Sequence, residues 1–270
     1  MVKKFRWRVE NIAVIRNRLD MEQFIKGAGK DVIPAEMKEY LPEEKFKIIM
    51  ITNFFQIKKM AVVNAMKALE LLLSKNRNVC LILIGRRGAH FDELKRMGEM
   101  INARYNSTGI IFAGYVKDAF RALRYADVVL GVGRSAFEGM AYKKPTLIVG
   151  ENGYAGMISK QRLKDIEYYN FSGRNVREIS SPTELASIVE DIMEHPEQYK
   201  EAVDFGRNYI KNEIDVRNGI QKIMESHTEI IRRFSEISVI KKMLNLTGVL
   251  VPILLDNYYN AGKKMLYKNS

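Results

Sequence analysis

The sequence predicts an α/β protein: a Rossmann-like, doubly wound parallel sheet with a helical extension at its C-terminal side. Two observations carry the prediction. Short, uninterrupted apolar runs alternate with segments of helical spacing, which is the pattern of parallel strands covered on both faces. Several of those runs end in glycine turns that open the next helix, where ligands bind in such sheets. The chain of 270 residues is 47% hydrophobic and 28% charged, enough for one large domain or two small ones with a sizeable core.

The elements follow in order. FKIIMIT (46–52) reads as a strand and KKMAVVNAMKALELLLSK (58–75) as a helix. NVCLILIG (78–85) is a strand closed by glycine, and FDELKRMGEMINARY (91–105) is helical. TGIIFAG (108–114) is a strand and KDAFRALRYA (117–126) a helix. DVVLGVG (127–133) is a strand and turn, SAFEGMAYK (135–143) a helix and PTLIVG (145–150) a strand. Helices then follow from about Ser181: PTELASIVEDIME, PEQYKEAVDFGRNYIKN and a long run to about Asn245. Pro182 and Pro196 suit first helical turns, where their missing N–H costs nothing. The pattern divides the chain into an N-terminal segment 1–45, which the family resemblance given below implies is hinge-like, a ligand-binding domain 46–200 and a helical extension 201–270.

Composition narrows the partners. Cys80 is the one cysteine; inside VCLILI it reads as a buried strand residue of a reducing, cytoplasmic compartment. The start has no apolar signal core. The apolar stretch GVLVPILL (248–255) is far short of the roughly 20 residues that span a bilayer. A net charge of +12 favours anionic partners: nucleotides, an acidic membrane surface or nucleic acid. A lysine-rich solvated surface accounts for it equally well, because the basic residues are scattered. Phe5 and Trp7 between basic residues could stack on bases, but no motif of a nucleic-acid module is present, so no specific nucleic acid is expected. The late segment KKMLNLTGVLVPILLDNYYNAGKKMLYK (241–268) could lie on an acidic membrane at the inner face, or dock on another domain. His90, His195 and His227 read as a loop residue, a helix-start cap and a solvated helix residue.

The candidate site lies in the loops after the strands: TNFFQIKK (52–59), GRRGAH (85–90), GYVKD (114–118), GVGRS (131–135) and GENGYAG (150–156). Gly131 and Gly133 let the backbone approach a ligand closely. Ser135 suits an N-cap with free N–H groups and a positive dipole end, and Arg134 adds a cation, so a diphosphate would fit there. Ser135-x-x-Glu138 is also a capping box, so Glu138 is either a cap or a ligand contact. No His/Cys/Asp cluster has metal-site spacing, and no metal is expected.

The order GYV (114–116), ADVV (126–129), the glycine loop, EGMA (138–141) and KKP (143–145) resembles the nucleotide-sugar half of a GT-B glycosyltransferase of the retaining family 4 type. VENIAVIRNRLDMEQF (9–24) is similar to that family's hinge segment, and LILIGRRG (81–88) to its second strand and glycine turn; the resemblance covers about residues 9–200. It implies one half of a GT-B fold that takes a nucleoside-diphosphate sugar as donor. The reaction implied is hexosyl transfer to a glycan or lipid-linked acceptor in polysaccharide biosynthesis. Position by position, Glu138 matches the glutamate that holds the donor ribose, and Lys58 the lysine of a basic pair that neutralises the leaving diphosphate. Gly133, Arg134 and Ser135 match the phosphate-facing loop, with Gly131, Asn53, Gly85, Arg86 and Tyr115 in the donor-binding loops around it. Fixed positive charge where a leaving diphosphate gains negative charge makes chemical sense of this set.

The sequence also departs from the family. A partner glutamate is expected eight residues before Glu138, where Leu130 stands. The arginine of the basic pair corresponds to Asn53, with Lys59 or Arg86 as substitutes, and the hinge asparagine-glycine is Arg16-Asn17-Arg18. Family enzymes carry an acceptor-binding domain before the hinge, and this chain begins near the hinge. Transfer is therefore expected to need a missing half, a protein partner or a homo-oligomer. The alternative is a non-catalytic scaffold subunit that keeps the half-fold without donor chemistry.

Overall fold

The computed structural model describes residues 17–25, 35–236 and the single position 248; the readings made for Phe5, Trp7, Arg16 and the 241–268 segment lie outside these. The chain divides into two compact units, Asn17–Val216 and Met1–Arg16 with Arg217–Ser270, each described by itself.

The first unit is a six-stranded sheet, β1 (Phe46–Ile51), β2 (Val79–Ile84), β3 (Ile110–Gly114), β4 (Val128–Gly131), β5 (Thr146–Gly150) and β6 (Gly153–Met157), in the order β3-β2-β1-β4-β5-β6. β1 to β5 are parallel. All six residues of β2 are buried, which is why its sequence is a continuous apolar run with no alternation. The helices are α1 (Gln56–Ser74), α2 (Phe91–Arg104), α3 (Arg134–Ala141), α4 (Leu163–Tyr168), α5 (Pro182–Glu194) and α6 (Lys200–Tyr209). Successive β1 residues face opposite layers. Ile48 and Met50 pack with Ala61, Val62 and Ala65 of α1 and Leu185 and Val189 of α5; Ile49 packs with Cys80, Ile82 and Leu123 on the other side. Burial pushes the Cys80 thiol up to about 11, so it is an inert core group. A third cluster joins Phe137 and Met140 of α3, Ile148, Phe171 and Tyr209.

α5 starts as its sequence predicts, with Ser181 Oγ accepting from the Thr183 N–H and Pro182 in the first turn. Lys75 and Arg77, just beyond α1, pair with Glu190 of α5, and Arg77 also reaches Glu194, so charges at one edge hold the two helices together.

Three elements differ from the sequence expectation. The 150–156 loop is partly a strand: β6 pairs antiparallel with β5, joined through Glu151 and Asn152, with Gly153 at φ +86°. The segment 117–126 forms a 3-10 helix over Ala119–Tyr125 after Asp118 at φ +53°. The helix expected from Pro196 is a 3-10 turn (Pro196–Tyr199), then α6, then a π turn (Ile210–Ile214). That π turn buries Ile210 and Ile214 and leads to a bridge between Leu19 and Asp215. Residues 200–215, read from sequence mostly as part of the extension, thus complete the first unit's core.

Of the second unit the structure describes α7 (Val216–Glu236), on which Ile220, Met224, Ile230 and Ile231 are exposed. Among the described residues, no helix is long and apolar enough to cross a membrane.

Candidate functional site

The chain runs from β1 outward to β2 and β3, then returns to place β4 on the other side of β1. The helices that follow β1 and β4 therefore leave toward opposite faces, and the strand order reverses between them. That reversal opens a crevice at the carboxyl ends of the two strands. A cleft of about 470 Å³ lies there, lined among others by Thr52, Asn53, Phe55, Lys58, Phe120, Gly131, Val132, Arg134, Ser135 and Glu138.

Six of the ten sequence candidates thus share one cleft: Asn53, Lys58, Gly131, Arg134, Ser135 and Glu138. Gly133 is not among the lining residues, although its neighbours Val132 and Arg134 are. It caps α3 at φ +53°, a conformation glycine adopts without strain, and its N–H donates to the Phe171 carbonyl at 2.8 Å. Gly85, Arg86 and Tyr115 sit outside the cleft lining. A Cβ on Gly85 would lie 1.6 Å from the Thr52 carbonyl oxygen, so close strand packing alone demands glycine there. The Arg86 guanidinium stacks over the Tyr115 ring at 4.7 Å, and the Arg86 N–H donates to Asn53 Oδ1 at 3.4 Å. Tyr115 is 60% exposed beside it.

The capping box is not formed. α3 begins at Arg134 with Gly133 as its cap, two residues earlier than a Ser135 cap requires, which places Glu138 at the fifth helical position, out of reach of the first N–H groups. Ser135 Oγ instead accepts from the Val132 N–H and donates to the Val132 carbonyl, both at 3.1 Å, closing the glycine loop on itself. Glu138, 6% exposed, takes an ion pair one turn back: Arg134 Nε donates to its Oε1 at 2.8 Å. Burial pushes the Glu138 carboxyl up, against the hydrogen bond and charge of Arg134. Arg134 itself is 68% exposed, so the rest of its guanidinium remains open to the cleft.

Lys58 is half-buried, and its ammonium makes no hydrogen bond or ion pair with a described residue. Burial holds its pKa below the usual lysine range, the Arg174 charge lowers it further, and Glu151 opposes both. Lys59 is no substitute cation in the cleft, because it pairs with Glu93 of α2 at 2.7 Å. His90 also contacts Glu93, at 3.1 Å, and His195 contacts Asp191 at 3.0 Å. The position of the expected partner carboxylate, Leu130, lies within the sheet: it is 1% exposed and in register with Met50 of β1 and Leu147 of β5.

Sequence reasoning missed the 170–174 loop. Asn170 and Phe171 both have positive φ, and the fully buried Phe171 holds the Gly133 N–H. Gly173 packs on Gly150 at the end of β5, where a Cβ would lie 2.8 Å from the Gly150 Cα. The only local signal was the Ser-Gly-Arg turn at 172–174, which follows a helix rather than a strand. Among the described residues, no three His, Cys, Asp or Glu side chains are grouped so as to hold a metal ion.

The family model described as "Glycosyl transferases group 1" matches residues 32–209. Among solved structures, a glycosyltransferase from Rickettsia africae ESF-5 superposes with a TM-score of 0.62 at 16% identity, covering 84% of this chain and 59% of that one. Anabaena Alr3699/HepE, in complex with UDP and glucose, gives 0.60 at 17% identity, with 82% and 58% covered. The C-terminal domain of a glycosyl transferase group 1 family protein (LpcC) from Francisella tularensis gives 0.51 at 17% identity, with 73% of this chain and 99% of that domain covered. The chain thus spans somewhat under two thirds of the first two structures. No curated protein matches by sequence.

Proposed function

Because the chain belongs to the glycosyl transferases of group 1, we propose that residues 17–216 form a donor domain that binds a nucleoside-diphosphate sugar in the cleft between β1 and β4. One observation carries the reading. The cleft at the strand-order reversal gathers a half-buried lysine with no ion pair among the described residues, an exposed arginine, a helix N-terminus and a buried carboxylate. The first three suit a diphosphate, whose negative charge grows as the sugar departs. The carboxylate suits ribose hydroxyls, as the family resemblance implies for Glu138. The Anabaena protein, of similar fold, was crystallised with UDP and glucose, which supports a nucleotide donor here.

Transfer needs an acceptor site, and we assign it to a further domain or partner, in keeping with the share of the larger glycosyltransferases that this chain spans. A lipid-linked or polysaccharide acceptor at the inner membrane face suits a chain of net charge +12. A second reading, a scaffold subunit without donor chemistry, is favoured by Leu130 lying within the sheet and by an asparagine at position 53.

The test is calorimetric titration of the full chain with UDP, GDP and ADP, alongside Arg134→Ala and Glu138→Ala. Binding of one nucleotide, weakened about tenfold or more by either substitution, is expected. Absence of binding by all three at millimolar concentration sinks the donor reading and leaves the scaffold.

A further inference from the structure

We infer that Glu138 is a positioning residue for the donor's phosphates, acting through Arg134. Its hydrogen bond to Nε fixes the guanidinium and leaves Nη1 and Nη2 to present a fork to the diphosphate. This role is additional to the ribose contact that the family resemblance implies, and it rests on the donor reading. It begins with spacing. Residues four apart on a helix stand one above the other, so Arg134, the first residue of α3, and Glu138 meet on one face. Both line the cleft, together with Lys58 and Ser135.

The contact engages a single donor. Arg134 Nε donates to Glu138 Oε1 at 2.8 Å, and the guanidinium makes no other hydrogen bond with a described residue. The two side chains differ in exposure, 8% for Glu138 and 68% for Arg134. The carboxylate is therefore the fixed partner, and the arginine is the one within reach of a ligand. The frame behind the carboxylate is close-packed. Gly139, the next residue of α3, lies against β4 and β5: a Cβ there would be 2.8 Å from Thr146 Oγ1 and 2.9 Å from Val129 Cγ1. At the start of the helix, Ser135 Oγ is bonded to both the N–H and the carbonyl of Val132. The helix cannot slide along the sheet without breaking these contacts.

An ion pair made for stability alone needs no buried carboxylate. Exposed pairs at this spacing contribute little, and burying the acid is costly, as the upward push on the Glu138 carboxyl records. The arrangement makes sense where the orientation of the arginine matters. A guanidinium matches two phosphate oxygens only when its plane is turned to them, and a free, exposed arginine must give up rotamer freedom to do so. The Lys58 ammonium is a compact charge with no such requirement.

The experiment compares Glu138→Gln with Glu138→Ala in the full chain. Both remove the carboxylate charge, and only glutamine keeps an oxygen that accepts from Arg134 Nε. Inorganic pyrophosphate, which has no ribose, is titrated into both variants, each with Arg134 in place and with Arg134→Ala. Wild type is titrated with pyrophosphate and with UDP. Pyrophosphate is expected to bind about tenfold more weakly to Glu138→Ala than to Glu138→Gln, and the difference should vanish in the Arg134→Ala background. A merely structural role would leave it in both backgrounds. Glu138→Met, of similar size but with no oxygen acceptor, should match Glu138→Ala without leaving a cavity. Pyrophosphate affinities of the glutamine variant within about twofold of the methionine or alanine variant overturn the assignment. So does a difference that survives Arg134→Ala, or a wild type that binds UDP but not pyrophosphate. Each of these leaves the donor reading intact when wild type binds UDP. Failure of wild type to bind either ligand overturns both.

Discussion

Replacing Leu130 by glutamate restores, in register, the carboxylate that the family resemblance expects eight residues before Glu138. It is predicted to unfold the domain rather than to complete the site. Leu130 is 1% exposed in β4, between Met50 and Leu147 on the neighbouring strands, and belongs to the main apolar cluster. Exchanging its apolar burial for a polar chain forfeits about 2 kcal/mol. A carboxyl there must also stay protonated at neutral pH, and holding it neutral at pH 7 against an ordinary value near 4.3 costs about 4 kcal/mol. The sum, about 6 kcal/mol, is comparable to the whole stability of many domains. For a unit of this size it corresponds to a fall in Tm of roughly 12 °C or more. Leu130→Ala is the control, losing about 2–5 kcal/mol through its cavity at any pH. The introduced carboxyl has a raised native pKa, so its native form binds more protons than the unfolded chain. Stability of Leu130→Glu should therefore fall as pH rises above the ordinary carboxylate range, and the gap from Leu130→Ala should widen between about pH 5 and pH 8. Circular-dichroism melts at both pH values measure this. A Tm for Leu130→Glu within a few degrees of wild type at the higher pH would refute the reasoning, because it would mean that position 130 reaches solvent or the cleft.

Two further substitutions probe the charges. Glu138→Gln should raise Tm at neutral pH: burial lifts the native carboxyl above its ordinary range, so ionising it there costs stability, and the gain should vanish near pH 4. A fall in Tm at neutral pH would show that the ion pair with Arg134 outweighs burial. Glu190→Gln should lower Tm by a few degrees at neutral pH. Lys75 and Arg77 hold the Glu190 carboxyl below its usual range, so its contribution is present above that range and lost as pH falls through the lowered value. A Tm difference that persists unchanged in acid would rule out this ion-pair origin.

The strands β1 to β5 were legible in the sequence because parallel strands buried on both faces leave uninterrupted apolar runs between polar helices. The start of α5 was legible because Ser181 and Pro182 act locally. Lys58, Arg134 and Glu138 were legible as a set through the resemblance, and the sheet order brings them to one cleft. Other features depend on partners distant in sequence. β6 is rich in glycine and carries no strand pattern; pairing with β5 makes it a strand. The start of α3 is decided by Gly133, whose positive φ is held by the carbonyl of Phe171, and this moves Glu138 from a cap to a partner of Arg134. Whether position 130 faces the cleft or the core depends on its register with Met50 and Leu147. Gly173 stands 23 residues after Gly150 and meets it only once the loop after α4 has packed on the end of β5. Local chemistry sets periodicity and caps within a few residues, whereas the direction a side chain faces and the charges it meets are set by contacts that exist only once the sheet has closed.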